Sequence, residues 1–345
     1  VDRNVDLVVI DEIQRAPELI LPLKMRLDSD QRSGQFLLTG SAQVFALKQV
    51  PDALPGRVAT LELWPFSQSE MEGTNGDVVH RLFNESPYNL AVQNETRQTT
   101  FERILKGGFP EATRFSRQAS RLRFFDDYVS DVVLRNITDI SKIENPTEII
   151  GLVEVLAQYN GCLFAVEQLS QATGIPSTTL SKYMELLELS FVIKRIQAWS
   201  NKATARAVST KKLAFVDSGL AGYFGNFPRE LTSNRPETGR LVETLVLMEL
   251  ARLSETFEPG ITLRHYRSRD GVEVDGVLSR RGGESLLIEV KSSATVTDPD
   301  FRHMRHLSER MKSKFRRGIV FYFGEEVIPF GDEMWALPIS TLWAN

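Results

Sequence analysis

Near its start the chain has a run of branched apolar residues, Val5–Ile10, that breaks into two adjacent carboxylates, Asp11 and Glu12. Such a run predicts a strand buried on both faces. Pro17–Leu27 then carries Leu19, Leu23 and Leu27 at helical spacing. QFLLTGSA, Gln35–Ala42, predicts a second short buried strand ending in Thr39, Gly40 and Ser41. A short helix, the turn LPGR and a third strand, RVATLELW, come next. Strands alternating with helices imply a mostly parallel sheet covered on both faces. From Gly73 to about Glu95 the pattern turns polar and predicts a loop or lid. Arg97–Lys106 and Arg117–Ile140 are patterned as helices, separated by GGFPEA.

From Pro146 the pattern changes. VEQLSQATGIPSTTLSKYMELLELSFVIKRI predicts a helix from about Val166, a turn at Gly174–Pro176, and a second helix capped by Ser177. A β-branched strand beginning at Phe191 follows. Leu169, Ile175, Leu180, Met184 and Leu187 supply the apolar spacing of two crossed helices, the pattern of a helix-turn-helix followed by a wing. The wing would run through NKATARAVSTKKLAFVD, which holds Lys202, Arg206, Lys211 and Lys212 with no acid before Asp217. The last third predicts a helix over Glu237–Leu253, then the strands ITLRHYRS, VEVDGVLSRR and SLLIEVKSS, the last two joined by a Gly282–Gly283 turn. A helix from about Asp300, the strand GIVFYFG and a short strand at Met334–Leu337 close the pattern.

Length and composition narrow the class. A chain of 345 residues holds two to four domains. A hydrophobic fraction of 42% with 25% charged residues is ordinary for a globular protein. One cysteine, Cys162, excludes an intramolecular disulfide and a cysteine-rich zinc site; it reads as a small buried hydrophobe in a reducing cytoplasm. No apolar run reaches membrane-spanning length and no signal peptide is visible. A net charge of −4 means that nucleic-acid binding would rest on a local patch, for which the basic wing is the candidate. Residue 1 is Val rather than Met, so a preceding segment is expected.

The candidate chemistry begins at VVIDE, which resembles the Walker B element of P-loop ATPases. The resemblance implies that Asp11 would hold Mg²⁺ through its water shell and that Glu12 would polarise the attacking water. LLTGS falls where AAA-type ATPases place a polar sensor, so Thr39 or Ser41 would lie near the γ-phosphate; Arg57 is a candidate for contacting developing phosphate charge. No glycine is followed by lysine, so the loop GxxxxGK[ST] that would cradle the phosphates is not in these residues. Three explanations stay open: a segment ahead of the chain, a loop not seen, or a dead site.

A second constellation lies near the C-terminus. Residues two apart share a strand face, so Glu289 and Lys291 point the same way, as do Glu273 and Asp275. An acid on one strand and Glu-x-Lys on the next resembles the PD-(D/E)XK nuclease core. There Asp275 and Glu289 would bind Mg²⁺, Glu243 could complete the shell, and Lys291 would stabilise charge at a scissile phosphate.

In order, VVIDEIQ, LLTGSA, LPGRV, GGFPEA, LAFVDSGLAGYF, GRLVETLVLMEL, EVDGVL and IEVKSS resemble a family of prokaryotic AAA-type ATPases with an uncharacterised C-terminal region. The resemblance implies an α/β multidomain chain. A partial AAA-type parallel-sheet ATPase core would span 1–75, a helical linker 76–145, a winged helix 146–235, and a restriction-endonuclease-like α/β domain 236–345. It further implies ATP and Mg²⁺ as cofactors and an uncertain enzyme assignment beyond ATP hydrolysis. DNA through the winged helix, or a protein, would be the partner, with no membrane. Three readings compete: an ATPase driving a nuclease-like module on DNA, a DNA- or protein-binding regulator with a degenerate nuclease fold, and a pure regulator with a dead ATPase site.

Overall fold

The computed structural model describes residues 7–41, 57–132, 146–200, 210–227 and 236–344. At the N-terminal end β1 (Val8–Ile10) lies parallel to β2 (Phe36–Leu38), with Val8 opposite Phe36. Between them runs α1 (Ile20–Ser29), whose Ile20 and Leu23 form a small core with Ile13, Ile10 and Phe36. This pair departs from the expected strand buried on both faces. Val9 is 57% and Leu37 50% exposed, because α1 covers one face only and alternate side chains point to the other. The expected third strand at Arg57–Trp64 is likewise not formed in residues 57–64. An extended segment without a ladder partner is not a strand, and Leu61 and Leu63 are almost fully exposed.

The polar stretch from Gly73 to Glu95 is not a simple loop. It follows α2 (Gln68–Glu72) and contains α3 (Val78–Asn84), with Val78, Val79, Leu82 and Phe83 buried. Polar flanks hid this short amphipathic turn. The carbonyl end of α3 is closed from a distance: Arg317 Nη1 donates to Leu82 O at 2.6 Å and Glu85 O at 2.9 Å. Then follow α4 (Arg97–Lys106), α5 (Pro110–Arg114) and α6 (Gln118–Asp131).

The middle of the chain contains α7 (Pro146–Gln158), β3 (Leu163–Phe164), α8 (Val166–Thr173), α9 (Ser177–Leu189), β4 (Ile193–Ile196) and β5 (Lys211–Phe215). The three strands form one antiparallel sheet with β5 in the centre. Gly174 ends α8 in the left-handed region, as expected for a helix stop. After α10 (Ser218–Phe224) comes the long α11 (Pro236–Phe257). A mixed six-stranded sheet follows, built from β6 (Thr262–Arg267), β7 (Glu273–Ser279), β8 (Ser285–Val290), β9 (Phe315–Tyr322), β10 (Ile328–Pro329) and β11 (Met334–Pro338). Its order is β10-β11-β9-β8-β7-β6. Before β9 lies α12 (Arg302–Met311). The two-residue strand period sorts the side chains: Leu286, Ile288, Ile319 and Phe321 join the core on the α11 side. Leu287, Val320 and Tyr322 join Met304, Leu307 and Met311 of α12 on the other.

One apolar core runs from Val78 to Trp343, across the expected boundaries near 146 and 236. It is crossed by a buried polar node. Asp217 accepts from the backbone N–H of Gly108 at 2.7 Å and of Leu220 at 3.0 Å, capping α10. Arg252 reaches Glu249 at 2.8 Å and Phe66 O at 3.2 Å, and Glu249 accepts from Gln68 N at 2.8 Å. The glycine pair of GGFPEA is required here. A Cβ on Gly108 would stand 2.0 Å from Phe66 O, and one on Gly107, at φ +67°, 2.2 Å from Asp217 Oδ1. The node ties the segment leaving the N-terminal strands to α11. Cys162, expected as a buried hydrophobe, is half-buried and lies 2.7 Å from Arg240 Nη1. Among the described residues no helix is long and apolar enough to cross a membrane.

Candidate functional site

Two carboxylate groups stand at strand ends, and their surroundings differ. The first lies where β1 ends. Parallel pairing with β2 sets the C-terminal ends of the strands side by side, and Ile13 N donates to Thr39 O at 3.1 Å. This brings Thr39 Oγ1 to donate to Asp11 Oδ1 and Ser41 Oγ to donate to Glu12 Oε2 at 3.1 Å. Gln14 Nε2 donates to the same Glu12 oxygen, and to Ser41 Oγ at 3.1 Å. Glu12 takes left-handed backbone angles, φ 51° and ψ 46°, an uncommon conformation for a side-chain-bearing residue and one that collects at functional sites. Asp11, Glu12, Thr39 and Ser41 are therefore brought together. Arg57 instead forms an ion pair with Asp28 of α1 at 2.7 Å. Gln14 was missed by the sequence reading, though it sits two residues after Glu12.

Mg²⁺ on a nucleotide fits this end of the sheet. Mg²⁺ is commonly held by one or two carboxylates together with substrate phosphates and water rather than by an all-protein cage. Asp11 is exposed and its only described side-chain partner is a hydroxyl.

The second group lies at the end of β7 and β8. Their antiparallel register places Gly276 opposite Ile288, so Asp275 and Glu289 fall next to each other. Asp275 Oδ2 accepts from Val290 N at 3.0 Å, and Lys291 Nζ donates to Glu289 Oε1 at 2.9 Å. The expected convergence of Asp275, Glu289 and Lys291 occurs, but on inner strands of the sheet rather than at its edge.

An unexpected residue holds the centre. Lys212, expected on a solvent-facing basic wing, is 1% exposed. Its Nζ lies 2.6 Å from Glu243 Oε1, 3.5 Å from Asp275 Oδ1 and 3.8 Å from Glu273 Oε1. The wing assignment fails for Lys212 because β5 is the central strand of its sheet and is buried along most of its length. Lys211 is half-buried, and Lys202 and Arg206 lie outside the described residues. A second lysine running into the apolar stretch Leu213–Phe215 was the available signal, since a buried ammonium demands carboxylate partners.

The electrostatics follow from burial. Burial first, then the charge of Asp275, pushes Glu243 and Glu289 up to about 8, against the pull of Lys212 and Lys291 respectively. Burial opposes the Lys212 charge, but the surrounding carboxylates outweigh it and the shift is upward. Burial, followed by the Lys212 charge, holds His265 down at about 4; its Nε2 faces Thr210 O at 3.0 Å. Glu289 Oε2 is buried without a hydrogen-bond partner. Even so, no group of three His, Cys, Asp or Glu among the described residues is arranged to hold a metal ion. The expected metal shell of Glu243, Asp275 and Glu289 is thus not formed, because an ammonium lies against two of its three carboxylates.

Three regions of the chain match known families. Residues 2–72 match an AAA domain, residues 97–231 a domain of unknown function, DUF8612, and residues 238–342 another, DUF4143. Uncharacterized proteins of Mycobacterium bovis and Mycobacterium tuberculosis are each 24% identical over 337 residues, covering 97% of this chain and 69% of theirs. An uncharacterized protein of Haemophilus influenzae is 20% identical over 313 residues, covering 88% of this chain and 70% of its own. The crystal structure of protein VC1899 from Vibrio cholerae aligns at 11% identity over 64% of this chain and 52% of that one, about half its length. Its TM-score is 0.22, too low to carry an argument. The AAA-domain match, with Asp11, Glu12, Thr39 and Ser41 inside it, and the DUF4143 match behind it support an AAA-type ATPase-like family for this chain.

Proposed function

We propose that the chain is part of an AAA-type ATPase whose hydrolytic carboxylates are Asp11 and Glu12. The observation that carries this is their convergence with Thr39 and Ser41 at the C-terminal ends of two adjacent parallel strands. Open α/β sheets bind their ligands at that end. Asp11 is oriented by Thr39 and would hold the Mg²⁺–nucleotide through water. Mg²⁺ supplies neutralisation of phosphate charge when bound. Glu12, steadied by Ser41 and Gln14, accepts a hydrogen bond from the attacking water and draws off its proton. The test is made on a full-length protein, since the matched relatives are longer than this chain. Glu12→Gln should keep ATP binding and lose turnover by about 10²–10⁴-fold, the usual worth of a positioned base. Turnover equal to that of the unsubstituted protein would remove Glu12 from the role.

The middle elements are read as a winged helix that docks DNA. Support comes from the order α7, β3, α8, α9, β4, β5 around a three-stranded sheet. The outer face of α9, the second helix of the pair, presents Ser177, Thr178, Ser181 and Lys182 to solvent. Hydroxyls and an ammonium at the start of such a helix suit contacts to phosphates and base edges. The C-terminal sheet is read as a nuclease-like fold that serves as a binding module. Its Glu-x-Lys strand and flanking helices support the likeness. The ammonium of Lys212 against Glu243 and Asp275 favours the non-catalytic reading over cleavage.

A further inference from the structure

We propose that Lys212 is a built-in cation that occupies the place of a divalent metal ion and closes the C-terminal carboxylate cluster to metal. The inference does not depend on the ATPase reading. Three carboxylates from two elements surround one ammonium: Glu243 from α11, and Glu273 and Asp275 from the same face of β7. Oxygen-only donors of this kind suit Mg²⁺ or Mn²⁺. Within the described residues the ammonium is the cation that all three share, and Glu273 pairs in addition with Arg267 at 3.0 Å. Lys291 serves Glu289 beside them, and the neighbouring imidazole of His265 adds no charge at neutral pH.

The lysine is also a foreign element in this sheet. It comes from β5, whose ladder partners are β3 and β4, and so belongs to the three-stranded sheet. That sheet is stitched to the edge of the larger one. Trp199 N donates to His265 O at 2.6 Å, and His265 N donates to Gln197 O at 3.0 Å. Without the ammonium, Glu243, Glu273 and Asp275 would be left around one point. Like charges held that close demand a proton or a cation. While Lys212 stands among them that cation is its ammonium, and the cluster is closed to a divalent metal ion.

The test is Mn²⁺ titration followed by electron paramagnetic resonance, without nucleotide and in an Asp11→Asn background that silences the N-terminal carboxylate. The chain retaining Lys212 should show no saturable binding. Lys212→Met should gain one Mn²⁺ per chain, and adding Asp275→Asn should abolish it. Saturable binding by the lysine-containing chain that Asp275→Asn removes would overturn the proposal, as would a folded Lys212→Met that binds no Mn²⁺. Should Lys212→Met not fold, melting of the lysine-containing chain still decides. Its midpoint should not move with Mn²⁺, and an upward shift that requires Asp275 would refute the block. None of these outcomes bears on Glu12, so failure here and failure of the ATPase reading are distinguishable.

Discussion

The two carboxylate groups of this protein, one just after β1 and one gathered from α11, β7 and β8, are met by partners of opposite kinds. Asp11 and Glu12 are bonded by Thr39, Ser41 and Gln14, neutral donors that orient a carboxylate and leave its charge in place. Glu243, Glu273, Asp275 and Glu289 are met by the ammoniums of Lys212 and Lys291. Glu273 also pairs with Arg267 at 3.0 Å, so the buried carboxylates Glu243, Asp275 and Glu289 face two ammoniums, an excess that protonation relieves. The difference teaches how to read paired acids. Neutral partners at an exposed strand end leave the carboxylate charge uncompensated, whereas buried internal cations compensate much of the charge of a cluster.

Stability should separate the groups most. Lys212→Met leaves several carboxylates buried without their counter-charge and should cost about 3–5 kcal/mol. Thr39→Val removes one hydroxyl bond near the surface and should cost about 1 kcal/mol. Urea unfolding of the two variants checks this, and equal losses would break the comparison.

Proton linkage sharpens it further. Unfolded, Glu243 and Glu289 release their protons near the ordinary value of 4.5; folded, they hold them up to about 8. The folded chain therefore binds more protons in that window, and stability falls as pH rises through it. His265, held down at about 4 against 6.5 when free, works the other way, but only below about 6.5. Between pH 6.5 and 8 the carboxyls act alone, so the melting temperature should drop there. Glu289→Gln should flatten that drop, while Asp11→Asn should leave it unchanged.

The smallest effect concerns exposed charge. Lys182→Ala should lower the slope of log affinity for DNA against log salt by about one, the worth of one phosphate contact. An unchanged slope would exclude the outer face of α9 as a DNA surface, whatever the fate of the buried Lys212.

By itself the sequence determined what depends on local periodicity and on neighbours close along the chain. The strand before Asp11, the helix pair around Gly174, and the face shared by Glu289 and Lys291 each follow from a repeat of two or 3.6 residues. So does the pairing of β7 with β8 across Gly282–Gly283, because that turn leaves few other registers. Residues apart in sequence were harder. Thr39 and Ser41 reach Asp11 and Glu12 because β1 and β2 are adjacent parallel strands. Lys212 did not take its expected place: whether a strand residue faces water or a partner depends on which strands flank it, and β5 lies between two others. The helix α3 and the absent strand at 57–64 turned on the same point, the presence or absence of a covering surface. The node of Asp217, Glu249, Arg252 and Gly108 draws on three segments far apart in the chain, and only tertiary packing could decide that burying those charges together outweighs leaving them in water.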